Sequence, residues 1–197
     1  MYSIISNNCY GTNYYKINNI EYKTPFIGLY IYAECYINLL ENFNNYIKLE
    51  LIELKKSKYG IFNYPIGLLG NSEIHFLHYN NFNEAKIKWD IRKKRLKSFN
   101  DCIIKLCDRD LFTINILNRF IKLNHPRKIL FLSLKWNNNF INLVKIYNKN
   151  NFLKLNYKNK KFIITNDDNL TIVNVNIENE CYDGNKLEKL YPIITLL

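Results

Sequence analysis

Two histidines and a set of charged side chains are the residues of this sequence that could do chemistry. His75 and His78 lie in residues 73–79, a stretch rich in β-forming residues, and a strand there would turn them to opposite faces. A two-histidine metal site within the stretch is therefore not expected, and no metal ligands are assigned. His78 is nearer the carboxyl end of the predicted strand, where open α/β sheets bind ligands. Since histidine suits proton transfer near neutral pH, His78 is the candidate general base.

A basic helix is predicted directly after this strand. Asn81 or Asn83 is a suitable N-cap. Four apolar residues recur on one side at helical spacing: Phe82, Ala85, Trp89 and Leu96. Arg92 falls within this apolar side, so its charge must either extend to solvent or meet an anionic partner. A structural ion pair and a ligand-binding role both remain open for it.

Two carboxylates follow another predicted strand, residues 102–107. Asp108 and Asp110 are spaced at i and i+2, which would let them share one divalent cation and through it a diphosphate. Asp110 could equally lie at the N-cap of a predicted helix over residues 111–123. A divalent metal is therefore a candidate cofactor but not an expected one.

The elements that must position these residues alternate along the chain. Further strands are predicted at residues 2–6, 26–32, 48–54 and 128–134, a helix at 33–47, and a loop at 60–70. Glu34 lies at the junction of residues 26–32 with that helix. Short β-prone runs, LVKIY, FLKLNY, KFIIT and LTIVNVNI, follow residue 140. We expect an α/β fold with a mostly parallel sheet flanked by helices: residues 1–139 form the core domain, and residues 140–197 add an antiparallel β-meander packed on it.

The composition limits the kinds of binding partner and the cellular compartment that we expect. The 28 basic and 17 acidic residues give a formal charge of +11, which favours phosphates, nucleic acid or anionic membrane surfaces. No recognition helix, zinc-finger spacing or RNA-binding aromatic signature is present, so nucleic acid is not the expected partner. The five cysteines include no C-x-x-C pair, which indicates reduced thiols and a cytoplasmic protein. Neither a secretory signal nor a membrane-spanning run is visible.

Several segments together resemble a known bacterial family. ISNNCYG, TPFIGLYIYAECYINLL, YPIGLL, EIHFLHY, EAKIKWDIRKKR, KLCDRD and LSLKW are similar to the family called domain of unknown function 1919, over roughly residues 3–147. Its members are often labelled exopolysaccharide biosynthesis proteins, which implies nucleotide sugars or lipid-linked glycans as substrates. The sequence departs from the family pattern at Tyr10 and Thr12, which argues against a backbone-mediated phosphate contact of the first loop, and at Leu111, where the family often has glycine after the acidic motif.

The resemblance also extends the set of site candidates. Its motif positions include Asn7, Asn8, Cys9, Glu34, His75 and Arg95, which become substrate-binding candidates together with Arg92 and Asp110. For Cys9, both a nucleophilic and a structural thiol remain open.

Our hypothesis is a transferase of surface-polysaccharide synthesis that binds an anionic small molecule such as a nucleotide sugar or glycan phosphate. His78 would act as general base with Asp108 as a second catalytic group, and Asp108 with Asp110 would hold a metal or the sugar. Arg92 and Arg95 would neutralise a phosphate. The alternative is a non-catalytic accessory protein whose basic helix docks on an acidic partner or makes a peripheral contact with anionic lipid.

Overall fold

A larger, mostly parallel sheet and a smaller antiparallel sheet organise the chain. The computed structural model describes residues 1–136, 152–157, 160–165, 170–175 and 183–193. The strands in these ranges are β1 Ser3–Ser6, β2 Ile52–Glu53, β3 Ile66–Leu69, β4 Ser72–His75, β5 Cys102–Cys107, β6 Lys128–Ser133, β7 Phe152–Tyr157, β8 Lys160–Thr165 and β9 Leu170–Val175. The helices are α1 Thr12–Ile17, α2 Ala33–Glu41, α3 Phe43–Tyr46, α4 Phe82–Lys93, α5 Ile114–Lys122 and α6 Gly184–Leu190.

The larger sheet has the strand order β1-β5-β6-β9-β8-β7. Its first four strands pair in parallel, and β7, β8 and β9 form an antiparallel meander that continues the same sheet. The predicted α/β fold, with a mostly parallel sheet and a C-terminal meander, is confirmed. The predicted run LVKIY and the predicted boundary at residues 139 and 140 lie outside the described residues.

Both faces of the parallel strands are covered, which explains why β5 and β6 are buried at every position. Successive side chains of a strand point to opposite faces. Ile104 accordingly packs in a core with α2, α4 and α5, and Ile103 packs in a second core with α1 and α6. None of the helices in the described ranges combines the length and the apolar character needed to cross a bilayer.

The smaller sheet was not predicted. Residues 73–79 were expected to form a strand of the parallel sheet, but β4 ends at His75 and pairs antiparallel with β3. Gly70, with a φ of 59°, allows the tight turn between these two strands within residues that were predicted to be a loop. β2 completes this sheet and is shorter and more exposed than the half-buried strand predicted at residues 48–54.

Residues 26–32, here called the bridging segment, are not the predicted regular strand. The segment is largely buried, but its strand-like pairing is an isolated bridge between Tyr30 and His75. The predicted helix over residues 33–47 is divided into α2 and α3 at Asn42.

Two helix starts test the capping predictions. The basic helix α4 starts as expected, because the side chain of Asn81 accepts a hydrogen bond from the backbone N–H of Glu84. Helix α5 starts later than predicted, with Thr113 as its N-cap in place of Asp110.

Candidate functional site

The loop that follows β1 turns two asparagine side chains toward β5. Asn7 is fully buried and Asn8 is 7% exposed. Their Oδ1 atoms accept hydrogen bonds from Nζ of Lys105 at 3.2 and 2.9 Å, and their amide groups lie 3.6 and 3.3 Å from the Sγ of Cys107. These side chains thus hold the loop against the sheet, at the carboxyl ends of β1 and β5.

Cys9 follows them and faces a histidine across a short gap. Its Sγ lies 3.5 Å from Nε2 of His78, within the range of a hydrogen bond to sulfur. Burial raises the pKa of the Cys9 thiol, Asp183 and Glu188 raise it further, and the ammonium of Lys105 opposes them. His78 can accept the proton of this thiol, or the proton of a ligand hydroxyl that binds next to His78.

The bridging segment brings His78 to Cys9. His78 lies on the loop after β4, in the smaller sheet, and not at the end of a parallel strand as predicted. Tyr30 and His75 exchange two backbone hydrogen bonds of 2.8 and 2.9 Å, and Ile31 donates its N–H to the carbonyl of Asn7 at 2.9 Å. The edges of the two sheets are joined in this way.

One cleft beside the pair, the cationic cleft, has a volume of about 260 Å³. Cys9 and His78 line it together with three cations, Lys16, Lys88 and Arg92, and no Asp or Glu is among its described lining residues. Lys88 is paired with Glu84 at 2.5 Å. The guanidinium of Arg92 lies 4.9 Å from the ring centre of Tyr22 and donates a hydrogen bond of 2.7 Å to the hydroxyl of Tyr79. Phosphate oxygens are the ligands that such a surface favours.

A second cleft, the tyrosine cleft, shares Cys9 and His78 with the cationic cleft and has a volume of about 490 Å³. Its lining residues include Asn8, Cys9, Tyr30, Tyr64, Leu77, His78, Arg109, Asp110, Asp183 and Asn185. The hydroxyls of Tyr30 and Tyr64 are hydrogen-bonded at 3.2 Å, and the carboxylates of Asp110 and Asp183 line the cleft together with the guanidinium of Arg109. Aromatic rings beside carboxylates suit a neutral ligand that carries hydroxyl groups.

Helix α6 contributes to both clefts and was missed in the sequence. Asn185 lines both, and a Cβ on Gly184 would lie 2.8 Å from the carbonyl carbon of Cys9, so only glycine permits this packing. The carboxylate of Glu188 accepts the backbone N–H groups of Asn13 and Tyr14 at 2.9 and 2.6 Å, which caps α1. Burial raises the pKa of Glu188. The signal that could have found α6 is Asp183, an N-cap residue before KLEKL.

His75 lies outside both clefts. It is fully buried among aromatic rings, with the rings of Tyr30 and Phe62 centred 4.8 and 5.0 Å away. Burial lowers its pKa to about 4, although Glu73 acts in the opposite direction.

The two aspartates after β5 occupy different environments. Asp108 is 1% exposed, and its Oδ2 accepts hydrogen bonds from the backbone N–H of Ser133 at 2.9 Å and from the hydroxyl of Ser133. Asp110 reaches the tyrosine cleft from a backbone with a φ of 60°. In the described part of the chain, no three His, Cys, Asp or Glu side chains come together as a metal site.

Two other predicted site residues form ion pairs away from the clefts. Glu34 pairs with Arg119 of α5 at 2.7 Å, and Arg95 pairs with Glu21 at 3.3 Å. The fold therefore brings Asn8, Cys9, His78, Arg92 and Asp110 to two adjoining clefts, and it places Asn7, Glu34, His75, Arg95 and Asp108 elsewhere.

Comparison with known proteins assigns the family. The model of the family described as Domain of unknown function (DUF1919) matches residues 1–169. The chain belongs to the DUF1919 family. The match confirms the predicted resemblance and includes every cleft-lining residue named above except Asp183 and those of α6.

A relative of this DUF1919 chain occurs in Haemophilus influenzae. It is described as an uncharacterized protein and is 31% identical to this chain over 129 residues. The aligned region covers 66% of this chain and 60% of the relative, so the chain spans about 60% of the relative's length.

Proposed function

We propose that the chain is a transferase of surface-polysaccharide synthesis that binds a phosphate-bearing sugar in the cationic cleft. The observation that carries this proposal is the position of the Cys9 and His78 pair, which borders a cleft lined by Lys16, Lys88 and Arg92. The polysaccharide label implied by the family resemblance supplies the kind of substrate, a nucleotide sugar or a glycan phosphate.

The two clefts suggest where donor and acceptor would lie. The donor phosphate would bind the guanidinium of Arg92, which the Tyr22 ring and the Tyr79 hydroxyl hold in place without neutralising it. The acceptor would occupy the tyrosine cleft, with its reacting hydroxyl next to His78.

His78 then has a defined role in the transfer. It would accept the proton of the acceptor hydroxyl as that oxygen attacks the donor, while the cations stabilise the negative charge that builds up on the departing phosphate. His78 is suited to this role because it lines both clefts.

Arg92 and Arg95 give a matched test on one helix. Arg92→Met is expected to weaken binding of a nucleotide sugar by about tenfold or more, since a hydrogen bond to a charged group contributes roughly 1.5–3 kcal/mol. Arg95→Met should bind like the wild type, because Arg95 pairs with Glu21 outside both clefts. Calorimetric titration of the purified protein with a panel of nucleotide sugars, with and without manganese, measures both.

The same panel, followed by product analysis, tests turnover. Transfer by the wild type and its loss in His78→Gln are expected. The proposal is wrong if no donor binds, turns over or changes the thermal stability of the protein.

A docking role on an anionic lipid surface is the second candidate, and the outer face of α4 favours it. Ile87 and Ile91 are 52% and 47% exposed and lie one turn apart, beside the lysines at the end of the helix. Exposed apolar residues flanked by lysines are typical of helices that lie on membranes.

A further inference from the structure

Lys105 carries a buried positive charge directly beneath the loop of Cys9. It lies in β5 opposite Ser6 and is fully buried. Its ammonium donates hydrogen bonds to the amide oxygens of Asn7 and Asn8 and lies 5.4 Å from the ring centre of Tyr10. In the described part of the chain, no carboxylate oxygen lies within 4 Å of it.

The nearby buried carboxylates are engaged elsewhere. Glu188 accepts backbone N–H groups of α1, and Asp108 accepts hydrogen bonds from Ser133. A buried ammonium held by neutral groups is costly, and an apolar residue of similar length usually fills such a position at least as well. Fold stability alone therefore gives a weak reason for a lysine here.

A second buried lysine shows the difference. Lys128 lies in the neighbouring strand β6, and its ammonium donates to the carbonyls of Ile121 and Leu123 at 2.7 Å each. These carbonyls belong to the end of α5, where a cation stabilises the helix. Lys128 thus serves the fold, whereas the hydrogen bonds of Lys105 lead to the site.

Those hydrogen bonds reach Cys9 through Asn8. The Oδ1 atom that accepts from Lys105 also accepts the backbone N–H of Tyr10 at 3.2 Å, so Asn8 joins the buried ammonium to the residues on both sides of Cys9. We propose that Lys105 is a positioning residue that sets the place and the reactivity of the Cys9 thiol beside His78. The inference rests on the proposed function only in assuming that the reaction takes place where the two clefts meet, at Cys9 and His78.

The charge acts on Cys9 as well as the hydrogen bonds do. Lys105 lowers the pKa of the thiol, against burial and against the carboxylates of Asp183 and Glu188. His78 is the titratable group in contact with the sulfur. The other charged groups that line the two clefts are Lys16, Lys88, Arg92, Arg109 and Asp110. They remain unchanged in the variants below.

Alkylation of Cys9 by iodoacetamide tests the proposal without any donor or acceptor. The rate is followed from pH 6 to pH 10 by mass spectrometry of the peptide that contains Cys9. Lys105→Met removes the charge and the hydrogen bonds, whereas Lys105→Gln removes the charge and keeps an N–H donor. In both we expect the rate at pH 7 to fall by roughly threefold to tenfold and the profile to move to higher pH.

Lys128→Met is the matched control for loss of a buried lysine. It should lower the thermal stability, because it uncaps α5, and leave the Cys9 profile unchanged. The proposal would be overturned if Cys9 of both Lys105 variants were alkylated at the wild-type rate at every pH. It would also be overturned if both variants failed to fold, since Lys105 would then be structural. Because no transfer is measured, a failed transferase assay would leave this result intact.

Discussion

His75 is a polar side chain in an apolar enclosure. Neither of its ring nitrogens has a hydrogen-bond partner in the described part of the chain. A carboxylate oxygen of Glu73 lies 3.6 Å from Nε2, which is beyond hydrogen-bond distance. That carboxylate is instead engaged by the Ser57 hydroxyl at 2.5 Å and the Lys58 N–H at 3.1 Å. A proton on His75 would therefore add a poorly compensated charge to the core.

This environment predicts a pH dependence of stability. Burial lowers the pKa of His75 to about 4, from 6.5 for a free histidine, so the unfolded chain binds the proton first as the pH falls. The contribution of neutral His75 to the free energy of unfolding is fully present above pH 6.5 and is lost progressively toward pH 4, by roughly 3 kcal/mol. Urea unfolding of His75→Phe should show a shallower fall in the free energy of unfolding across this window than the wild type. Equal slopes would contradict the assignment.

At the same scale, the sequence named candidate residues but not the contacts that hold them. Asn7, Asn8 and Cys9 were predicted to belong to the site, but the partner that orients the two asparagines is a lysine 98 and 97 residues away from them in an apolar strand. Nothing in the run CIIKLC distinguishes a buried lysine from an exposed one. Its role depends on which loop lies above the strand.

Among the elements, β5 and α4 were predicted from local signals, whereas the smaller sheet and the bridging segment were not predicted. The strand β5 has the predicted bounds and α4 starts at the predicted cap, because apolar runs and caps are encoded within a few residues. The bridging segment pairs with His75, far along the chain, and the β3–β4 hairpin turns at Gly70 within residues that were predicted to be a loop, so their apolar residues alone gave no register.

Helix α6 gives a prediction at the scale of elements. Gly184→Ala should lower the free energy of unfolding by about 1–3 kcal/mol, because the added methyl group meets the backbone of Cys9 and Tyr10 and the side chain of Asn8. The displaced helix would also draw Glu188 away from the start of α1. Urea unfolding measures the stability.

The neighbouring residue supplies the control. Asn185 is exposed, so Asn185→Ala should change the free energy of unfolding by no more than about 0.5 kcal/mol. Equal stabilities of the two variants would show that α6 packs more loosely than described.

For the whole molecule, the sequence predicted that sheet edges gather distant polar residues into one site, but it assigned His78 to the wrong sheet. His78 reaches Cys9 because the bridging segment joins the two sheets. Parallel strands predict that ligands bind at the carboxyl edge of their sheet. The second sheet, which contributes His78 to the site, depends on tertiary contacts that have no local signal in the sequence.

The net charge of +11 gives a prediction for the docking role. Replacing Lys93, Lys94 and Lys97 by glutamine should abolish cosedimentation with phosphatidylserine vesicles at low salt, while His78→Ala should leave it unchanged. Binding that survives the triple replacement would remove α4 as the docking surface.

The two clefts have different supports. The charged side of the cationic cleft belongs to α1 and α4, whereas Tyr64 reaches the tyrosine cleft from the loop between β2 and β3. Amino-acid substitutions in that loop leave the charged side of the cationic cleft, formed by α1 and α4, intact. In the proposed transfer, preference for the acceptor can therefore diverge while recognition of the donor phosphate is retained, which makes the proposed site modular, with Cys9, His78 and Asn185 shared by both clefts.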